Sequence, residues 1–175
     1  AHLYGVGVLG CAGGRAVGRT GDVIAGIDWV IRNVQKSNRP AVVSMSLSGA
    51  HSTTLNTAVR AMSDSAIPVV VAAGNHNTDA CNESPASERS TITVASSDRT
   101  DTRSAFSNFG SCVDIWAPGD RVTSGVYHGV PLTMSGTSSA AAHVAGTIAV
   151  LLASTSATQP GFCEPPPPSS SSSSS

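Results

Sequence analysis

Ser138 is the residue of this chain whose surroundings best suit nucleophilic chemistry. It follows Gly136 and Thr137, which form a turn, and it opens an alanine-rich stretch. The whole segment runs from Gly136 to Gly146. At the start of a helix, unpaired backbone N–H groups and the positive end of the helix dipole converge on one point. Such a point stabilises the oxyanion that forms when a serine oxygen attacks a carbonyl carbon. The alternative interpretation is an ordinary serine N-cap, which satisfies the same N–H groups without chemistry.

Alternating strands and helices are expected to position this serine. Apolar runs and helical spacings predict a strand over Leu3–Leu9, a loop over residues 10–22, a helix over Asp22–Val34, a strand over Ala41–Leu47, a helix around Leu55–Met62, strands over Pro68–Ala73, Thr91–Ala95 and Val113–Ala117, and a helix over Ser138–Leu152.

Continuous apolar strands between helices predict an α/β fold. The expected architecture has three layers, with a mostly parallel sheet between two layers of helices. Functional residues collect at the carboxyl ends of the strands in such a sheet. Ser46–Ser48 and Gly74–Asn75 both follow strands and are therefore expected near Ser138.

The composition of the chain limits the kinds of molecule that it is expected to bind. The chain has 175 residues, about the length of one domain, and its charged share of 12% is about half the usual one. Its net charge of −1 suggests neither a nucleic-acid partner nor an anionic membrane surface. No continuous apolar run approaches the roughly 20 residues that a membrane-spanning helix needs.

The two ends of the chain differ from a typical complete domain. Residues 1–9 are interpreted as a buried strand, with neither an initiating Met nor the pattern of a signal peptide. A run of prolines and serines follows Glu164 and has the low complexity of a disordered or polyproline-like tail. We therefore expect a domain over residues 1–157, incomplete at its N-terminus, and a Pro/Ser-rich tail over residues 158–175.

Four cysteines allow three complete pairings. Cys81 and Cys112 lie in segments rich in Asn and Ser that are typical of loops, which suits a surface disulfide in an oxidising compartment. The alternative is that all four cysteines are free thiols.

Several separate motifs resemble the subtilisin-like serine proteases, or subtilases, over about Ala1 to Leu152. The Gly136–Gly146 stretch resembles the family's nucleophile motif, Ala72–Asn75 its oxyanion-hole segment, and Ser46–Gly49 a substrate-binding segment. Three further segments resemble the proteinase K-like and aqualysin-like branch, namely Cys81–Ser87, Phe106–Cys112 and Asp114–Gly119.

This resemblance implies a secreted, monomeric serine endopeptidase that acts on polypeptides through an acyl-enzyme on Ser138. The backbone N–H of Ser138 and the side chain of Asn75 would form the oxyanion hole, and no cofactor would be required for the chemistry. The implied substrate-binding residues are Ser46, Leu47, Ser48, Ala72 and Gly74. Ser48 replaces a glycine of the family pattern, so substrate preference stays open.

A structural calcium site is also implied by the resemblance. Asp114 matches a calcium-binding aspartate of proteinase K-like enzymes, and the backbone carbonyls of Arg89 and Thr91 would complete the site. The alternative is that Asp114 is solvated or accepts hydrogen bonds from backbone N–H groups.

The same resemblance implies a pairing of the cysteines. Relatives of the aqualysin type pair two cysteines at the positions of Cys81 and Cys112. Cys11 resembles a cysteine whose partner lies upstream of this chain, and Cys163 has no evident partner.

The catalytic Asp and His of the family are not found in the sequence. Subtilases order their triad Asp, His, Ser, and both earlier members precede the strand that opens this chain. His143 lies five residues after Ser138, about 140° around the helix, and faces away from it. The remaining histidines match no catalytic position, namely His2, His51, His76 and His128. We therefore expect a carboxyl-terminal part of a subtilase that is inactive alone.

Two other functions were weighed against this one. A non-catalytic homologue that binds peptides through the Ser46–Gly49 edge fits the missing Asp and His, but it gives no reason to retain Ser138 and Asn75. An esterase-type hydrolase would need Gly-x-Ser-x-Gly after a strand, whereas Ser138 is followed by Ser139 and Ala140.

Overall fold

The computed structural model describes residues 1–13, 15–37, 39–125 and 130–157. Its helices are α1 (Thr20–Ser37), α2 (Thr53–Asp64) and α3 (Thr137–Ala157), with a single 3₁₀ turn at Ala80–Asn82 in the described part of the chain. Its strands are β1 (Gly10–Ala12), β2 (Arg15–Val17), β3 (Val43–Met45), β4 (Gly49–Ala50), β5 (Val69–Ala72), β6 (Glu83–Ser84), β7 (Ile92–Ser97), β8 (Ile115–Pro118), β9 (Val122–Ser124) and β10 (Leu132–Met134). The predicted tail, His128 and Cys163 lie outside the described residues.

A four-stranded parallel sheet forms the centre of the fold, in the order β3-β5-β7-β8. Side chains alternate along the strands, and β5 shows how this builds three layers. Val69 and Val71 face α1 and α2, whereas Val70 and Ala72 face α3. The α/β fold and its helix-sheet-helix layering are confirmed.

Most of the predicted elements are present, with ends that differ by a few residues. The predicted strand over Leu3–Leu9 is wrong. Residues 1–9 pair with no strand in the described chain, and Leu3 is 96% exposed. Val8 packs on α1 instead, where it takes the space that a Cβ atom on Gly26 would need. An apolar run becomes a buried strand only when neighbouring strands satisfy its backbone groups, and no such neighbour is described here.

The predicted loop over residues 10–22 is also wrong in part. Strand β1 (Gly10–Ala12) pairs in antiparallel fashion with β2 (Arg15–Val17), and α1 begins at Thr20. Gly13, with a φ of 58°, provides the left-handed backbone conformation that the tight turn requires.

Helix α3 corrects the expectation that no segment is long and apolar enough to span a bilayer. By length and composition Thr137–Thr155 is such a segment, with a mean hydropathy of 1.3. The Ser and Thr residues of α3 interrupt the apolar run but lower its mean hydropathy only slightly. Its first half packs on the sheet through fully or largely buried alanines at positions 140, 141 and 145.

A charged pair ties α2 to the segment that follows β6. The Glu88 carboxylate is buried and accepts hydrogen bonds from Arg60, at 3.0 and 3.2 Å, and from the N–H and hydroxyl of Ser90. Burial raises the pKa of the Glu88 carboxyl. The hydrogen bonds from Arg60 and Ser90 and the positive charge of Arg60 lower it by more, so the pKa lies below its usual value.

Glu88→Gln is expected to lower the free energy of unfolding at pH 7 by about 1 kcal/mol, because a neutral amide accepts these bonds more weakly. A lowered pKa stabilises the folded state above the unfolded pKa of about 4.3, and this stabilisation is lost as the pH falls through the folded value. Urea unfolding at pH 7 and pH 3 should therefore show a smaller deficit of the variant at the lower pH. A deficit of equal size at both values would contradict this account.

Candidate active site

The candidate site lies where β3 and β5 end beneath the first turn of α3. Ser46 immediately follows β3, and Gly74 and Asn75 follow β5. Helix α3 begins at Thr137, so Ser138 lies in its first turn rather than at the N-cap. The parallel register of β3 and β5 brings the two strand ends side by side, as the sequence predicted.

Two hydrogen bonds fasten Ser138 to the end of β3. The hydroxyl of Ser46 donates to the Ser138 carbonyl oxygen at 3.1 Å, and the Ser138 hydroxyl donates to the Ser46 carbonyl oxygen at 3.4 Å. The second bond is long for an O–H donor, so the Ser138 hydroxyl is only weakly held. Ser138 is also half-buried, which leaves its oxygen available to a reactant.

The Asn75 side chain is held by the residue before the serine. Its Oδ1 accepts from both the backbone N–H and the hydroxyl of Thr137, each at 2.9 Å. The Thr137 hydroxyl in turn accepts from the Gly74 N–H at 3.2 Å. With the acceptor end of the amide occupied, its donor end, Nδ2, is directed elsewhere.

Nδ2 of Asn75 and the backbone nitrogen of Ser138 border the same space. A Cβ atom placed on Gly136 would lie 3.5 Å from the first and 3.8 Å from the second. Gly136 has no side chain, so this space between the two donors stays open. Two N–H donors that border one space, one of them belonging to Ser138, are the kind of groups that stabilise a developing oxyanion.

The residues predicted to contact substrate differ in exposure. Ser46 and Ser48 are exposed and Leu47 is half-buried. Ala72 is buried beneath α3, so only its backbone is placed for such a contact. Gly74 is buried with a φ of 104°, a conformation that favours glycine.

No described histidine makes a hydrogen bond to the Ser138 hydroxyl. His143 is exposed and its Nδ1 bonds the Ser139 carbonyl oxygen at 2.9 Å, which agrees with its predicted direction. His76 bonds a carboxylate, and His2 and His51 are exposed. The described part of the chain therefore holds the residues predicted as nucleophile and oxyanion donor, Ser138 and Asn75, without a described histidine hydrogen-bonded to the serine.

Sequence reasoning missed the network that supports Asn75. His76 lies in a loop as predicted, but its Nδ1 is 2.7 Å from the carboxylate of the buried Glu83. Glu83 also accepts from the buried Asn108 side chain at 3.0 Å. These residues come from three separate segments, and no local pattern indicates that they meet.

The Asp114 carboxylate accepts a hydrogen bond from a backbone N–H, as the alternative interpretation of this residue expects. Its Oδ2 accepts from the Thr93 N–H at 2.7 Å, and the rest of the exposed carboxylate faces away from that bond. The Arg89 side chain donates to the Ser111 carbonyl oxygen. The described residues contain no group of three or more His, Cys, Asp or Glu side chains that could hold a metal. Calcium stays a prediction.

The predicted disulfide between Cys81 and Cys112 is present, with Cα atoms 5.3 Å apart. Cys112 is buried in a cluster of alanines that includes Ala73, immediately before the Gly74–Asn75 turn. Cys11 is an exposed free thiol.

Comparison with known proteins decides the family. The sequence profile of the Subtilase family matches residues 1–160. The chain belongs to the subtilase family. The prediction made from the motifs is therefore confirmed, and Ser138, the serine of the family's nucleophile motif, lies inside the matched region.

Three relatives show how much of a subtilase is present. The alkaline serine exoprotease A of Vibrio alginolyticus is 47% identical over 93% of this chain and 29% of its own length. The extracellular serine proteinase of Thermus sp. strain Rt41A is 47% identical over 86% of this chain and 36% of its own. Proteinase R of Parengyodontium album is 43% identical over 93% and 42%. The chain thus spans less than half the length of each of these relatives.

A solved structure supports the same fold. The crystal structure of a cold adapted subtilisin-like serine proteinase superimposes with a TM-score of 0.77 at 47% sequence identity. The match covers 81% of this chain and 50% of that one. The subtilisin-like α/β fold is therefore shown by both sequence and structure.

Proposed function

We propose that this chain carries the nucleophile and oxyanion hole of a serine endopeptidase. The observation that carries the proposal is that Asn75 Nδ2 and the Ser138 nitrogen border the same space, next to Gly136. The relatives are named as serine proteinases and an exoprotease. Polypeptides are the proposed substrates.

In the proposed reaction the Ser138 oxygen forms a bond to the carbonyl carbon of the scissile peptide. The electron pair of the carbonyl moves to its oxygen, which becomes an oxyanion between the Asn75 amide and the Ser138 N–H. Collapse of this intermediate expels the amine and leaves an acyl-enzyme, which water hydrolyses. The proton of the serine hydroxyl must leave to a base, which we propose lies outside the 175 residues. The chain alone is accordingly proposed to be inactive.

We propose a secreted, monomeric protein without a nucleic-acid or membrane partner. Support comes from the names of two relatives, an exoprotease and an extracellular proteinase. The Cys81–Cys112 disulfide adds to this support because structural disulfides persist mainly in oxidising compartments.

We also propose a calcium ion at Asp114. A carboxylate and backbone carbonyls are the hard oxygen ligands that Ca²⁺ takes. Asp114 uses one oxygen to accept from Thr93, close to the carbonyl of Thr91 in the chain, and its exposure leaves the other side of the carboxylate open. The ion would join β7 and β8 rather than take part in the reaction.

A peptide boronic acid, acetyl-Ala-Ala-Phe-boronic acid, tests the proposal without a catalytic base. Its boron accepts the Ser138 oxygen and becomes a tetrahedral anion, while the serine proton is lost to solvent. Asn75→Ala is expected to weaken binding of this compound about a hundredfold, because one oxyanion donor is removed and loss of the oxyanion donor of subtilisin has an effect of about this size. Isothermal titration gives the affinity, and ¹¹B NMR identifies the tetrahedral adduct.

The peptide amide acetyl-Ala-Ala-Phe-amide serves as the matched control, because it binds the same cleft without forming an oxyanion. Its affinity should be the same for Asn75→Ala and the unmodified chain. The proposal fails if the boronic acid gives no tetrahedral adduct, or if the adduct persists in Ser138→Ala. Binding of the amide without any adduct would favour the second candidate, a non-catalytic subtilase that binds peptides, which the lack of a described base also supports.

A further inference from the structure

Glu83 is a buried carboxylate that the proposed reaction does not use. It is 7% exposed and lies in β6, which pairs with β4. Its Oε1 receives two hydrogen bonds, and its Oε2 is buried without a hydrogen-bond partner among the described residues. Leaving a buried carboxylate oxygen unpaired lowers the stability of the fold, so an apolar side chain of similar size would be more stabilising here. A position that keeps such a group calls for a functional explanation.

The partner of Glu83 is Asn108, which holds the backbone on both sides of Asn75. The Asn108 Nδ2 donates to the Ala73 carbonyl oxygen at 2.9 Å, and its Oδ1 accepts from the His76 N–H at 3.0 Å. The same Oδ1 accepts from the Thr78 N–H at 3.1 Å. The Asn108 backbone N–H donates to the Gly74 carbonyl oxygen at 3.0 Å. One fully buried side chain and its own amide thus fix the turn that carries Asn75.

Glu83 and the Ala73 carbonyl oxygen together fix which way the Asn108 amide points. The Glu83 carboxylate accepts from Asn108 Nδ2 at 3.0 Å, and a carboxylate has only acceptors to offer. The NH₂ end of Asn108 must therefore face Glu83, which leaves Oδ1 toward the two backbone N–H groups. His76 closes the arrangement from the exposed side, with its Nδ1 2.7 Å from the same carboxylate oxygen.

The turn and the network fit against each other without spare room. A Cβ atom on Gly74 would collide with both Asn108 Nδ2 and Glu83 Oε2. Removing the Glu83 side chain would therefore open space directly behind Gly74, the residue before the oxyanion donor. The Gly74 N–H also donates to the Thr137 hydroxyl, so a shift there would reach the partner of Asn75 as well.

We infer that Glu83 is a positioning residue for the oxyanion hole and acts through Asn108 and the Gly74–Asn75 turn. The inference rests on the proposed function, since it needs Asn75 to be the oxyanion donor. Glu83 contacts neither substrate nor Ser138. Its effect is on how closely the Asn75 amide is held to the position where charge develops.

A double-mutant cycle tests this assignment with the same boronic acid. Glu83→Leu removes both acceptors at similar size and is expected to weaken boronic acid binding about tenfold. In a chain that already carries Asn75→Ala, Glu83→Leu should have no further effect, because the donor it positions is gone. The conservative Glu83→Gln keeps one acceptor oxygen for Asn108 and His76, and it should bind within about twofold of the unmodified chain.

Glu88→Leu is the matched control, because it removes another buried carboxylate that lies outside this network. It should leave boronic acid binding unchanged. Thermal unfolding and binding of the peptide amide show that each variant is folded with an open cleft. If Glu83→Leu does not fold, Glu83→Met makes the same removal with a more adaptable side chain.

The outcomes separate this inference from the proposed function. Loss of affinity that disappears in the Asn75→Ala background, with recovery in Glu83→Gln, supports the inference. An equal loss in both backgrounds, or no loss at all, overturns it while the Asn75-dependent adduct still supports the proposed function. Absence of any adduct with the unmodified chain overturns both.

Discussion

The folded 175-residue chain is expected to react with a fluorophosphonate probe on the order of 10⁶-fold more slowly than proteinase R. In subtilisin, loss of the serine or the histidine alone lowers turnover by about that factor. The proposed oxyanion donors lie next to Ser138 in the chain or in space, but the Ser138 hydroxyl bonds only the Ser46 carbonyl oxygen among the described residues. Without a base the serine stays protonated and weakly nucleophilic. Time courses of labelling followed by intact-protein mass measurement give the two rates.

The control for this experiment is Ser138→Ala, together with a circular dichroism spectrum that shows the chain is folded. Labelling that is fast and lost in Ser138→Ala would mean that a base reaches the serine after all. Adding imidazole offers a finer check, because a small base in solution would partly replace the missing group. Labelling that rises with imidazole and still depends on Ser138 would support the proposed division of the active site.

The second large effect concerns stability. Replacing Cys81 and Cys112 together by serine is expected to lower the free energy of unfolding by about 3–4 kcal/mol. The bridge closes a loop with a sequence separation of 31 residues, and the cross-link restricts the unfolded chain by about this much. The change also places a polar side chain where Cys112 packs among buried alanines. Urea unfolding of the oxidised chain and the double variant measures the difference.

Cys11→Ser is the matched control, because Cys11 is exposed and unpaired in the structure. It should leave the unfolding midpoint unchanged. The unmodified chain, measured under reducing conditions, should have the same urea midpoint of unfolding as the double variant. If reduction leaves the midpoint where it was, the bridge does not stabilise the fold as argued.

Secondary structure was predictable where the sequence alone determines the packing. The apolar strand before Gly74, β5, is buried on both faces. Its composition suits the interior of a parallel sheet, whichever strands lie beside it. Helix α2 combines an apolar stripe with a serine N-cap, Ser52, whose hydroxyl accepts from the Leu55 N–H. Such local signals carry enough information to place an element without knowing what surrounds it.

The wrong or missing predictions concern residues whose structure depends on the elements around them. Residues 3–9 have the composition of a buried strand but find no strand partner in the described chain, and their side chains pack partly on α1. The site shows the same limit. Ser138 and Asn75 were identified from motifs, whereas the Glu83–Asn108 contact joins residues 25 positions apart that carry no pattern in common.

Helix α3 rests on the sheet through alanines, and this contact has a consequence for which positions of the chain can be re-engineered. Ala140 and Ala141 are completely buried against β5 and β7 side chains, so the height of the nucleophile above the strands is set by single methyl groups. Any larger residue there would lift the whole first turn and separate the serine from Asn75. Exposed residues after β3, such as Ser48, lie outside this contact, so protein engineers can vary them while the spacing between the helix and the sheet is kept.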